Sequence, residues 1–65
     1  MKKSYSSREV IKILKEDGWF LKRTRGDHHQ FKHPTKRGLV TVPHPKKDLD
    51  IEEMASISEQ SGLKF

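Results

Sequence analysis

Cysteine is missing from the 65 residues. That excludes a disulfide framework and any thiolate-bound metal. Long apolar runs are missing as well. The longest, Trp19-Phe20-Leu21, is three residues, far short of a transmembrane helix. The charged start Met1-Lys2-Lys3-Ser4 has no apolar stretch behind it. It does not read as a secretory leader, so the expected location is the cytoplasm. Apolar residues make up only 31% of the chain. A chain this short buries ~60% of the surface its unfolded form exposes. A single domain over residues 1–65 is therefore expected, with no room for a deep, enclosed active site.

What is present is positive charge, unevenly placed. The formal charge is +5, from 14 Lys and Arg against 9 Asp and Glu. Between Lys22 and Lys47 lie eight bases (Lys22, Arg23, Arg25, Lys32, Lys36, Arg37, Lys46, Lys47) and one acid, Asp27. The rest of the chain has six bases and eight acids. A basic centre between near-neutral ends is the electrostatic footprint of a polyanion binder. Membrane binding is disfavoured, because no helical stretch sets basic residues opposite bulky aromatics.

The chain is punctuated clearly. Ser6-Ser7-Arg8-Glu9 is a capping box, and Val10, Ile11, Ile13 and Leu14 follow at helical spacing. Gly18 is placed to stop that helix. Trp19 to Arg25 is rich in strand formers and runs into Gly26-Asp27, a turn signal. His28 to His33 reads as a second strand, and Leu39 to Val42 as a third, ended by Pro43 and Pro45. Asp50-Ile51-Glu52-Glu53 caps a second helix, with Ile51, Met54, Ala55 and Ile57 apolar and an end near Ser61-Gly62. The expected fold class is α+β, in the order α-β-β-β-α. It is a three-stranded antiparallel sheet with two helices on one face and the other face open.

Alternation assigns the faces. Phe31 should meet the helices, and His29 and His33 share its parity. His28, Gln30 and Lys32 then point to the open face. Val40 and Val42 are expected inside. The first strand gives no clean alternation, since Phe20 has the opposite parity to Trp19 and Leu21. Trp19 and Phe31 read as core, because so small a core cannot spare them.

Four histidines raise the question of metal. His29 and His33 are four apart, which on a strand is about 13 Å, too far for one ion. His28 and His29 point to opposite faces. No metal and no cofactor is expected. His28 differs from an ordinary surface histidine: it follows a Gly turn, on the open face, within the basic segment. An imidazole beside phosphate-binding cations is what metal-free RNA cleavage requires. RNA carries its own nucleophile, the 2′-hydroxyl, and lysines and arginines stabilise charge on the phosphate oxygens. DNA lacks that hydroxyl. These features leave three roles open: a ribonuclease, a non-catalytic RNA-binding module, or a domain whose basic face meets an acidic protein.

A resemblance then enters. Asp17-Gly18-Trp19, Gly26-Asp27-His28-His29-Gln30-Phe31-Lys32-His33-Pro34, Val40-Thr41-Val42-Pro43-His44-Pro45-Lys46-Lys47-Asp48-Leu49 and Gln60-Ser61-Gly62-Leu63 together resemble the HicA family of bacterial toxin–antitoxin ribonucleases, the mRNA interferases. The resemblance spans nearly the whole chain. It implies a fold like the double-stranded-RNA-binding domain. It implies an endoribonuclease that cleaves mRNA and arrests growth as part of a stress response. It also implies a HicB antitoxin that covers the active site. The family's catalytic histidine sits in a Gly-Ser-His motif and carries over to His28. Asp27 departs from the usual Ser, and a carboxylate there would repel phosphate or tune the imidazole. Glu52-Glu53-Met54 departs from the family's usual Gly-Thr-Leu. Gly26 is expected as the structural turn that places His28. Lys22, Arg23, Arg25, Lys32, Lys36, Arg37, Lys46 and Lys47 are the candidate phosphate contacts.

Overall fold

Two capping boxes frame the chain. The computed structural model describes residues 4–65, so Met1-Lys2-Lys3, read above against a leader, lie outside the described residues. Helix α1 runs Ser7–Glu16. The Ser6 hydroxyl accepts from the Glu9 amide at 3.1 Å, and the Glu9 carboxylate accepts from the Ser6 amide at 2.9 Å. Helix α2, Ile51–Ser61, repeats the device with Asp50 and Glu53. Each box satisfies two amides that would otherwise lack partners and contributes about 1 kcal/mol.

Between the helices lie β1 (Phe20–Arg25), β2 (His28–Lys32) and β3 (Leu39–Pro43). They form an antiparallel meander in the order β1-β2-β3. The α-β-β-β-α order and the double-stranded-RNA-binding-domain-like arrangement are as the sequence predicts. Boundaries differ slightly. Trp19 stays outside β1 because its amide donates to Leu14 O at 2.9 Å, closing the end of α1. His33 leaves β2 because its ring is used elsewhere, as described below.

The core takes Val10 and Leu14 from α1, Phe31, Val40 and Val42 from the sheet, Ile57 from α2, and Trp19 and Leu49 from the connections. Phe31 pairs with Val40, and Val42 pairs with His29, so this row defines the helix-facing side. The irregular parity of β1 has a physical cause. Leu21 pairs with Phe31, but Arg23 pairs with Gln30, so Lys22 is an extra residue in a bulge. The bulge returns Arg23 and Arg25 to the open face.

Two sequence assignments on α2 need correction. Ile51 and Ala55 are counted above in its apolar set, but Ile51 is 86% exposed and Ala55 is exposed. Ile51 is the first helical residue, and the core is reached only from Ile57, with Met54 packed partly against it. The outer edge of β3 is covered by α2, where the Thr41 amide donates to the Gln60 side-chain oxygen at 3.0 Å. That satisfies an edge donor that would otherwise invite pairing.

Candidate nucleic-acid interface and active site

Cross-strand pairs place side chains on a common face. Three such rows build the open side of the sheet: Arg25–His28–Pro43, Arg23–Gln30–Thr41 and Phe20–Lys32–Leu39. These nine residues include Arg23, Arg25, Lys32 and His28, and no acid. In the middle row Arg23 Nε donates to Gln30 Oε1 at 2.6 Å, which ties the guanidinium to its cross-strand partner.

His28 begins β2, directly after the Gly26-Asp27 turn. Gly26 has φ 59, at the first central position of a two-residue hairpin loop. That conformation favours glycine, so the sequence-predicted turn has a backbone reason. The His28 side chain is 62% exposed, and Nε2 lies 3.8 Å from an Asp27 carboxylate oxygen, itself 73% exposed. The imidazole is thus open to a ligand, with one carboxylate beside it.

Behind the turn lies a second histidine system. The His44 amide donates to Asp27 O at 2.7 Å, fastening the end of β3 to the turn. The His44 ring contacts the Ser7 hydroxyl through Nδ1 at 2.6 Å and meets the His29 ring edge-to-face at 4.8 Å. Ser7 is buried; its hydroxyl also accepts from the Lys46 amide at 2.8 Å and lies 3.1 Å from Lys46 O. Burial pulls the His44 pKa below its ordinary value, and the nearby His29 and Arg8 add to the fall. His29 Nδ1 is buried without a hydrogen-bond partner. Arg8, Lys46 and Lys47 rim an adjoining depression of about 290 Å³.

The candidate phosphate contacts separate into groups. Arg23, Arg25 and Lys32 share the open face with His28, and Lys22 is the unpaired residue of the β1 bulge. Lys46 lies near the turn, but its ammonium bonds both Glu53 carboxylate oxygens at 2.8 Å. That ion pair raises its pKa. Lys47 lies on the rim of the depression. Lys36 and Arg37 belong to the β2–β3 loop, at the far end of β2 from His28. The Lys36 ammonium donates to Asp17 Oδ2 at 2.6 Å and to Ser61 O at 3.2 Å, which ties it to the fold. Sequence reasoning missed Ser7, Arg8 and His44. The Val-Pro-His-Pro run carried the signal for His44. Nothing local announces that Ser7 meets it 37 residues away.

Among the described residues no group of three or more His, Cys, Asp or Glu is placed to hold a metal ion. No helix among them is long and apolar enough to cross a membrane. Fold and face together define a small α+β domain with a cationic sheet surface, and a solvent-facing histidine at one end of it. The chain matches the family described as HicA toxin of bacterial toxin–antitoxin over residues 7–63, and it belongs to that family. It is accordingly a toxin of a toxin–antitoxin system, with an antitoxin as its implied partner. No curated protein matches the chain.

Proposed function

We propose that the protein is a metal-independent endoribonuclease, an mRNA interferase, with His28 as its catalytic residue. The observation that carries the reading is the exposed His28 imidazole on a sheet face that also presents Arg23, Arg25 and Lys32. The cations hold the phosphate, and the imidazole moves the proton. If His28 acts as base, it takes the 2′-hydroxyl proton. The freed oxygen bonds to phosphorus, the bond to the 5′-oxygen breaks, and that oxygen leaves with a proton from water. If His28 acts as acid, it supplies that last proton instead, and water takes the 2′-hydroxyl proton. Arg23, Arg25 and Lys32 stabilise the charge gathered on the non-bridging oxygens. Cleavage of mRNA in the cytoplasm then stops translation and growth. A HicB-type antitoxin neutralises the toxin by covering this face. Acidic residues on the antitoxin would suit the face and speed association.

One observation favours a second reading, a non-catalytic RNA-binding domain of the same fold. Asp27, 3.8 Å from the imidazole, stands where the family usually has Ser, and its charge opposes an incoming phosphate. Incubation of the chain with RNA in excess EDTA separates the two. Cleavage of RNA, with the all-deoxy strand left intact, is expected. RNA that is bound with a steep salt dependence but stays whole would support the second reading and end the first.

A further inference from the structure

The chain has five aromatic residues, and the fold accounts for four of them. Trp19 and Phe31 are buried in the core. Tyr5 and Phe65 pack against that core and meet each other edge-to-face at 5.4 Å. Phe20 is the exception, 48% exposed. Its pairing with Lys32 puts it on the open face of the sheet, away from both helices. The same row continues to Leu39, and Arg23 lies in the next row. His28 lies four residues along β2 from Lys32, about 13 Å at the usual rise per residue. One end of the face is therefore an aromatic ring flanked by a cation. The other end is the catalytic imidazole, and an arginine stands between. No acid interrupts the three rows.

We infer that Phe20 is a stacking platform for one unpaired base, and that the sheet face takes single-stranded RNA. The inference rests on the proposed RNA-binding role of this face, but not on cleavage. Proteins that hold single strands combine a cationic track for the backbone with aromatic rings that take bases, because every base has a π-face. A duplex keeps its bases stacked on one another and offers no face to Phe20. Phosphates would run past Arg23, Arg25 and Lys32 while one base, set off from the cleaved bond, lies on the ring. Binding would thereby select unpaired stretches of RNA whatever their sequence.

The test is binding of the full chain to an unstructured 2′-O-methyl oligoribonucleotide, which lacks the nucleophilic hydroxyl and so cannot be cut. The duplex of the same oligonucleotide serves as comparison. Phe20→Ala is expected to weaken binding to the single strand roughly five- to hundredfold, the range for one stacked base. Phe20→Tyr and Phe20→Trp should keep the affinity, and Phe20→Leu should lose it as Ala does. Duplex binding should change little. Undiminished single-strand affinity in Phe20→Ala, or full retention in Phe20→Leu, would overturn the proposal. So would equal losses on strand and duplex. Loss of antitoxin binding with oligonucleotide binding intact would make Phe20 a protein-docking residue instead. A chain that binds the strand through Phe20 yet cuts no RNA ends the nuclease reading and leaves the stacking site standing. A chain that binds no strand ends both.

Discussion

Two histidines stand at opposite ends of β2, one as its first residue and one just past its last, and do opposite things. His28, at the start of β2, has a 62% exposed side chain, with an Asp27 carboxylate oxygen 3.8 Å from its Nε2. His33, one residue past the end of β2, is bonded at both ring nitrogens. Its Nδ1 faces the amides of Thr35 and Lys36, each at 3.1 Å. A nitrogen that accepts from two amides carries no hydrogen, so Nε2–H donates to Asp17 O at 2.7 Å. The ring also meets Trp19 edge-to-face at 5.1 Å. Asp17 completes the lock, accepting from Trp19 Nε1 at 3.2 Å and from Lys36 at 2.6 Å. The Lys36 ammonium holds the Asp17 pKa below its usual value. One end of the strand is closed by hydrogen bonds, and the other is left with an imidazole free to meet a substrate. Residue type alone does not separate the two roles; the partners of each ring nitrogen do.

The comparison can be broken from either end. The largest effect is expected at the open end. His28→Ala should lower RNA cleavage by roughly a hundred- to ten-thousandfold, the usual share of a general acid–base group. Its stability should stay within about 0.5 kcal/mol of native, as for other exposed positions. Kinetic assays paired with thermal melts check both halves.

The closed end should answer with stability. Gly18 has φ 104, and a Cβ there would lie 2.9 Å from His33 Nε2. Gly18→Ala therefore combines backbone strain with displacement of the locked ring. It should cost about 3 kcal/mol by denaturant titration. His33→Ala leaves the amides of Thr35 and Lys36 without their acceptor. A loss of about 2 kcal/mol is expected, with cleavage per folded molecule unchanged. Strong loss of cleavage in a folded His33 variant would erase the distinction between the two ends.

The smallest effect belongs to His44, which sits between the two extremes. Burial lowers its pKa in the folded chain. The corresponding stability is fully present above the unfolded value of roughly 6.5 and is lost as the pH falls from there through the lower folded-state pKa. Melting temperature should therefore decline on acidification from about pH 7 to pH 5, and His44→Gln should flatten that decline. An identical pH profile in the variant would show that the Ser7–His44 contact tolerates the charged ring.

Much of this layout is legible in the chain. Both helix N-caps, the Gly26-Asp27 hairpin, and the core places of Phe31, Val40 and Val42 follow from local spacing, that of Trp19 from its bulk in so small a core, and the structure places them so. The side of the sheet taken by Phe20, Arg23 and Arg25 does not, because a bulge at Lys22 has no residue signature and shifts the parity of β1. Nor do the ion pairs of Lys36 and Lys46. Asp17 and Glu53 come to them only when the helices pack, so a lysine count overstates the cations open to phosphate. His33 and His44 look like His28 in a one-dimensional pattern. Their partners Asp17 and Ser7 lie 16 and 37 residues away.

The central claim is that the His28 imidazole itself carries the proton in RNA cleavage. Free imidazole added to the folded His28→Ala chain tests it most directly, because so exposed a position lets a small molecule enter the vacated place. Cleavage that is nearly absent without imidazole and rises with its concentration is the predicted result. A His28→Ala chain that cleaves RNA at the native rate without imidazole would contradict the claim.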